Sequence, residues 1–249
     1  MTVLPDFVTI VILAAGKGTR MKSDIAKVLH TISGRPMIKY VVAAATRAAG
    51  DNVIVVVGNQ AEEVQRAVEE EAGVKFVFQQ NQKGTGHAVK CALSALPPFC
   101  KEVLILSGDV PLIKVSTIQR LVQTHISNHN DVTLLTVKLE NPYGYGRVVF
   151  NQFGNLERIV EEKDATDDEK QIDIINSGIY CVKRNFLEPA LLQIKSNNVQ
   201  NEMYLTDIVD IGCRSYKKVG FILSSDQAEI LGVNTPQDLC RIESFVKGI

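Results

Sequence analysis

The chain has 249 residues, 45% hydrophobic and 22% charged, with 27 basic against 28 acidic side chains and a formal net charge of −1. That length supports one large α/β domain with a sizeable core, and the near-neutral balance excludes any global pull toward nucleic acid or an anionic membrane. A phosphate-binding protein so balanced must concentrate its cations locally.

In chain order, residues 7–13 read as a strand without polar alternation, as expected of one buried on both faces. The stretch is roughly ten residues too short to span a bilayer. The leader before it carries Asp6 and no lysine or arginine, so no signal peptide is expected and the expected location is cytoplasmic. A helix is predicted over 37–49, ended by Gly50, then a strand over 53–57, a helix over 62–71 and a strand over 74–78. Residues 85–95 read as a helix stopped before Pro97 and Pro98, and 103–106 as a strand running into Ser107-Gly108-Asp109. After about residue 115 the pattern changes. A helix over 115–129 and a strand over 132–139 lead to a hairpin of 146–150 and 156–161 around Gly154. An exposed charged loop over 161–170, strands over 178–182, 219–223 and 229–233, and a closing helix over 237–247 follow. Short β-branched runs alternating with amphipathic segments imply an α/β protein with a mixed, mostly parallel sheet flanked by helices. No linker rich in Pro, Gly or Ser divides the chain. One domain over 1–249 is expected, with a nucleotide-binding lobe to about 115 and a second, acceptor-binding lobe over 116–249.

Five scattered cysteines, never spaced as Cys-x-x-Cys, read as small buried hydrophobes in a reducing compartment. The four histidines show no metal-ligand spacing.

Three segments of the first half carry chemistry. Leu13-Ala14-Ala15-Gly16-Lys17-Gly18-Thr19-Arg20 follows the first strand, and Gly16 and Gly18 let backbone N–H groups approach an anion. The dinucleotide fingerprint fails, with Met21 in place of its third glycine, and the Walker Gly-Lys-[Ser/Thr] is absent. Lys17, Arg20 and Lys27 form a cationic set suited to a triphosphate; a solvated surface loop is the alternative. Ser107-Gly108-Asp109-Val110-Pro111 lies at the carboxyl end of a strand, where ligands of open α/β sheets sit. A carboxylate there suits Mg²⁺ bridging phosphates, although it could merely cap the turn. Gln79 offers an amide that can match a pyrimidine edge. Gly84 and Thr85 would bring a helix N-terminus near base or phosphates, or Thr85 simply caps that helix. In the second half, Tyr143-Gly144-Tyr145-Gly146-Arg147, Glu161, Asn176-Ser177-Gly178 and the run from Glu202 to Asp207 supply the directional polar groups a sugar requires. Glycine turns and a cap at Thr206 or Asp207 account for them equally well.

Together these segments resemble the uridylyltransferase domain of the bacterial bifunctional enzymes that make UDP-N-acetylglucosamine. The resembling residues are Leu-Ala-Ala-Gly-Lys-Gly-Thr-Arg-Met (13–21), Lys-Val-Leu-His (27–30), Gly-Thr-Gly-His-Ala (84–88) and Gly-Asp-Val-Pro-Leu (108–112). Gly-Tyr-Gly-Arg (144–147), Glu-Lys-Asp-Ala-Thr-Asp (162–167), Asn-Ser-Gly (176–178), Tyr-Leu-Thr-Asp (204–207) and Gly-Val-Asn (232–234) complete the match, in order over nearly the whole chain. The first and the Gly-Asp motifs belong to sugar nucleotidyltransferases generally. The 162–167 and 204–207 segments are more particular to N-acetylglucosamine 1-phosphate enzymes.

The resemblance implies a Rossmann-like nucleotide-diphospho-sugar transferase fold with a sugar-binding lobe. It implies that UTP and N-acetylglucosamine 1-phosphate give UDP-N-acetylglucosamine, a cell-wall and lipopolysaccharide precursor, and pyrophosphate, by in-line attack with Mg²⁺ and no covalent intermediate. Leu13, Ala14, Ala15, Gly16, Gln79, Gly84, Thr85 and Gly108 would hold the nucleotide, and Arg20 and Lys27 the phosphates. Asp109 and Asn234 would ligate Mg²⁺; Gly146, Glu161, Asn176, Tyr204 and Thr206 would bind the sugar. No nucleic-acid or membrane partner is implied. Ala26 departs from the proline of many relatives and should loosen the loop carrying Lys27, and Ser107 departs from an aromatic residue, where uridine contacts could differ. The bifunctional enzymes continue into a left-handed β-helix of hexapeptide repeats, none of which occurs here, so acetyl transfer is not expected of this chain. Two other readings stay open: a different sugar 1-phosphate with UTP, dTTP or CTP, and a non-catalytic nucleotide-sugar sensor.

Overall fold

The computed structural model describes residues 3–69 and 73–247. The first half contains β1 (Val8–Ala14), a small pair β2 (Thr31–Ile32) and β3 (Arg35–Pro36), α1 (Met37–Ala49), β4 (Val53–Val57), α2 (Ala61–Val68), β5 (Val74–Phe78), α3 (Thr85–Ala92) and β6 (Glu102–Ser107). The second half adds α4 (Val115–Ser127), β7 (Val132–Lys138), the hairpin β8 (Arg147–Phe150) and β9 (Leu156–Val160), and α5 (Asp167–Lys170). It continues through β10 (Ile174–Lys183), α6 (Arg184–Leu191), α7 (Asp207–Arg214), β11 (Val219–Ser224), α8 (Gln227–Ile230) and α9 (Pro236–Lys247).

One sheet runs through both halves in the order β11-β7-β10-β6-β1-β4-β5, with β8 and β9 attached beside β10. β5, β4, β1 and β6 are parallel, β10 runs antiparallel to both β6 and β7, and β11 is parallel to β7. β1 shows why the central strands lack polar alternation. Val8, Ile10, Ile12 and Ala14 pack into one core and Val11 into the other, so each residue is buried on its own face. α1, α2 and α4 cover the first face; α3, α6 and α7 cover the second.

Strand order reverses beside β1, which has β4 on one side and β6 on the other. The carboxyl ends of β1 and β6 therefore flank a topological switch point, the crevice where open α/β sheets bind ligands. The main chain is drawn tight there: Gly108 N donates to the Leu13 carbonyl at 2.9 Å, and a Cβ on Gly108 would lie 2.9 Å from that same oxygen.

Most predicted elements stand where the residues place them. The helix over 37–49 ends as expected, with Gly50 at φ 58° donating to Thr46 at 2.8 Å. The helix expected over 62–71 is described from Ala61 to Val68; residues 70 and 71 lie outside the described residues. The 85–95 helix is α-helical to Ala92 and tightens to a 3₁₀ turn over Leu93–Ala95.

Three expectations are corrected. Residues 229–233 are not a strand: α8 covers Gln227–Ile230, started by Asp226, whose carboxylate accepts from Glu229 N. The apolar run there packs into the core as helix end and loop, with Ile230, Leu231 and Val233 buried. The charged 161–170 segment is not wholly an exposed loop. Thr166 and Glu169 form a reciprocal capping box that starts α5. The strand expected over 178–182 extends back to Ile174 through a bulge between Asn176 and Tyr180, where Gly178 takes φ 76° against Ser107. That bulge redirects the start of β10 toward the hairpin, so Ile175 pairs with Arg147 and Asn176 N donates to the Gly146 carbonyl at 2.9 Å.

All five cysteines are free. No helix among the described residues is long and apolar enough to cross a membrane.

Candidate active site at the switch point

A cleft of about 1090 Å³ opens at the switch point. Gly16, Gly18, Arg20, Lys27 and Thr85 line it from the first half, and Tyr145, Glu161, Tyr204 and Asn234 from the second. The β1 loop is shaped by its glycine: Gly18 sits at φ 64°, and a Cβ there would collide with the Lys27 side chain at 2.5 Å. The loop thus folds back onto the residue that carries its cation.

Lys27 starts a 3₁₀ turn whose preceding residue, Ala26, is fully buried and donates its N–H to Gln60 Oε1. A proline at that position would have no N–H to give, so the alanine supplies the turn with a tether of its own. The Lys27 ammonium is held by two oxygens at once, Asp109 Oδ2 and, at 3.1 Å, Asn234 Oδ1. Arg20 donates to the same Asn234 oxygen at 2.8 Å. Val233 N donates to the Asp109 carbonyl at 2.8 Å, which fixes the Gly232-Val233-Asn234 segment against the end of β6. Four residues from positions 20, 27, 109 and 234 therefore meet at one point. Lys17, grouped with Arg20 and Lys27 on sequence, is exposed and does not line the cleft.

Tyr145 packs on the same side, its hydroxyl donating to Gly232 O at 3.4 Å. Burial, with Asp238 and Asp109 nearby, pushes it up to about 12. It is thus a protonated donor at neutral pH.

Among the described residues no group of three His, Cys, Asp or Glu could hold a metal ion. The candidate metal pair is a carboxylate and an amide oxygen, and both converge on the Lys27 cation. Hard oxygen donors directed at one positive charge fit a cation of the Mg²⁺ type, which needs only one or two protein ligands when phosphates and water fill the rest.

The nucleotide candidates cluster beside this point. Ala14 and Ala15 are buried at the end of β1, and Asn59 N donates to Ala15 O at 3.2 Å. Gly84 takes φ 102°, and a Cβ there would lie 2.6 Å from Met203 O. Met203 N and O bond Lys83 O and Gly86 N, both at 2.8 Å, and Thr85 Oγ1 accepts from Leu205 N at 3.0 Å. Thr85 is not a helix cap; it ties the nucleotide side to the 203–205 segment. Gln79 is buried, its amide nitrogen 3.1 Å from Gly84 O and 2.9 Å from His87 Nδ1.

The sugar candidates form a second group. Glu161 accepts from Thr206 Oγ1 at 3.3 Å, and a Cβ on Gly146 would come within 3.3 Å of its carboxylate. Burial pushes the Glu161 carboxyl up. Asn176 Oδ1 is engaged by Gly178 N at 3.1 Å and Tyr180 OH at 2.8 Å. The Tyr204 hydroxyl and Asp164 Oδ2 are buried without a well-aligned partner, and burial beside Asp164 raises the tyrosine well above its ordinary value. Arg147, which the sequence groups with sugar binders, is 1% exposed and pairs with Glu162 at 2.8 Å, with a further bond to the Tyr145 carbonyl. Its role is to hold the hairpin that presents Gly146.

Ser107 does not stand free in the base region: it packs against the Gly178 bulge and donates to Gly178 O at 3.4 Å. Sequence reasoning placed Tyr145 and His87 within named motifs without assigning their local bonds, and missed the Met203 backbone as a partner of Gly84. The signal for that partner is the glycine at a helix start, Gly84 at positive φ.

A family profile described as "MobA-like NTP transferase domain" matches residues 10–171. Proteins named "Bifunctional protein GlmU" are similar over most of the chain. That of Desulfotalea psychrophila is 47% identical over 238 residues, covering 96% of this chain and 70% of the relative. That of Trichlorobacter lovleyi is 47% identical over 223 residues, covering 90% of this chain and 48% of the relative. The chain spans about half the length of most of the curated relatives it matches. Among solved structures, a UDP-glucose pyrophosphorylase complexed with UDP-glucose superposes with a TM-score of 0.76, covering 97% of this chain and 99% of that one at 16% identity. That likeness shows a nucleotide-diphospho-sugar transferase fold.

Proposed function

From the premise that this chain belongs to the MobA-like NTP transferase family, we propose that it transfers uridylyl from UTP to N-acetylglucosamine 1-phosphate. The products are UDP-N-acetylglucosamine and pyrophosphate. The observation that carries the reading is the convergence of Arg20, Lys27, Asp109 and Asn234 on one point of the cleft, beside a separate polar group around Glu161. The choice of sugar is supported by the 162–167 and 204–207 motifs and by the similarity to GlmU proteins.

The acceptor phosphate is already an anion at neutral pH, so the site needs no general base. Its task is to align two anions and neutralise charge as the α-phosphorus is attacked. The β1 loop and the Gln79–Thr85 segment receive the nucleotide; Gly146, Glu161, Asn176, Tyr204 and Thr206 receive the sugar. Asp109 and Asn234 would hold a divalent cation, Mg²⁺ in this proposal, which when bound supplies Lewis-acid charge to the phosphates. Lys27, now held by those two oxygens, and Arg20 would then turn their charge on the phosphates. The expected setting is cytoplasmic synthesis of a cell-wall precursor.

Glu161→Ala separates the two halves of this account. It should raise KM for the sugar phosphate about tenfold or more, through loss of a buried acceptor, while calorimetric UTP affinity stays unchanged. A fall in UTP affinity with an unchanged sugar-phosphate KM would contradict the assignment of the second lobe to the sugar.

A further inference from the structure

Asn234 stands in the loop before α9, and the start of that helix is built around one carboxylate. Asp238 Oδ2 accepts from Thr235 N at 2.8 Å and from Thr235 Oγ1 at 2.9 Å, while Asp238 N donates to Thr235 Oγ1 at 3.2 Å. Those bonds make a reciprocal cap over Thr235-Pro236-Gln237-Asp238. The same oxygen takes one bond that a cap does not need: Asn234 N donates to it at 3.0 Å. The two N–H groups that flank the Asn234 Cα thus converge on a single atom. Such a convergence of successive N–H groups sets φ and ψ of the residue between them, and so the direction in which its Cβ leaves the main chain. Directed in this way, the Asn234 oxygen lies 3.1 Å from the Lys27 ammonium and 2.8 Å from the Arg20 guanidinium. The bond from Val233 N to the Asp109 carbonyl holds the preceding residue and does not set those two torsions. The side-chain amide has one long brace of its own, Nδ2 to Gly232 O at 3.5 Å. Asp238 is half-buried and lines the cleft. Its helix is anchored further on, with Ile242 buried in the core and Glu243 Oε1 accepting from Ser33 N at 3.3 Å.

We propose that Asp238 is a positioning residue of the divalent-cation site: its carboxylate locks the backbone at Asn234 and thereby holds the Asn234 oxygen beside Asp109. This rests on the reading of Asp109 and Asn234 as the metal pair. Asp238 acts through the hydrogen bonds it accepts, not through its charge, and it does not touch the cation. Without that acceptor, Asn234 N and Thr235 N lose their shared partner and the amide oxygen is no longer held in one direction. Losing an outer partner of this kind lowers metal affinity about 10- to 100-fold.

The test titrates Mn²⁺, a paramagnetic stand-in for Mg²⁺ whose free ion is read by EPR, into the protein without nucleotide. Wild type, Asp238→Ala, Asp238→Asn, Thr235→Ala and Asp109→Ala are compared, each beside a thermal melt. The Kd for Mn²⁺ should rise about tenfold or more in Asp238→Ala and return to the wild-type value in Asp238→Asn, whose amide oxygen can accept the same bonds. Thr235→Ala should lower Tm through the lost cap and leave Mn²⁺ affinity unchanged, which separates aiming Asn234 from stabilising α9. The Mg²⁺ concentration for half-maximal kcat should follow the same order. If Asp238→Ala does not fold, Asp238→Ser, whose hydroxyl is too short to reach both N–H groups, is read in the same way. Wild-type Mn²⁺ affinity in the folded Ala or Ser variant overturns this inference alone. So does an Asn variant as weak as Ala, which would assign the effect to charge, or a Thr235→Ala variant as weak, which would assign it to the helix start. An Asp109→Ala variant that binds Mn²⁺ as the wild-type protein does overturns it together with the metal pair.

Discussion

Asp109→Ala is expected to lower kcat by about 100- to 1000-fold, the range for removing one group that stabilises transition-state charge. Its carboxylate binds the Lys27 ammonium, and in the proposed mechanism it is the one anionic protein ligand for the metal. The fold should survive. The contact that joins β6 to the 232–234 segment is made by the Asp109 backbone carbonyl, which alanine retains. Lys27 also keeps Asn234 Oδ1 as a partner. The loss of stability should be about 1 kcal/mol, a shift in Tm of roughly 2–4 °C. Steady-state kinetics beside a thermal melt check both parts. Near-normal kcat in a folded variant would contradict the assignment.

The second large effect is expected of Lys27→Met. Methionine keeps an unbranched stem beside Gly18, where space is tight enough to exclude a Cβ, but removes the charge. In the proposed mechanism Lys27 neutralises a phosphate, so kcat/KM for UTP should fall about 100-fold or more. Added Mg²⁺ should not restore it, because the two cations do separate work. Asp109 and Asn234, relieved of their ammonium partner, should bind the metal no more weakly than before. Recovery of wild-type kcat/KM at high Mg²⁺ would show that Lys27 only holds the ligands apart until the metal arrives.

The central sheet was legible because β1, β4 and β6 are built on short apolar runs, such as Val53–Val57 and residues 103–106, whose residues alternate between the two cores. Gly50 marked a helix end for a local reason, its positive φ. Legibility fell where local and tertiary signals part. Residues 229–233 have the apolar composition of a strand, yet Asp226 caps a helix into them and core burial settles the rest. α6 contains Pro189, which hides its helical pattern, and β10 is split by a bulge that looks like a loop until its pairing with β7 is seen. The candidate site divides in the same way. Its glycine loops are local and visible. The meeting of Lys27 with Asn234, 207 positions apart, is topological, and only resemblance to known enzymes linked the two beforehand. His87 lay inside a recognised motif, but its link to Gln79 depends on the turn that carries β5 into α3.

The most direct test of the account is pyrophosphate release from UTP and Mg²⁺, measured with no acceptor and with N-acetylglucosamine, glucose or mannose 1-phosphate. Release should require a sugar phosphate, be fastest with N-acetylglucosamine 1-phosphate, and yield UDP-N-acetylglucosamine in equal amount. Release without acceptor, or none with any of the three, would contradict uridylyl transfer as the function of this site.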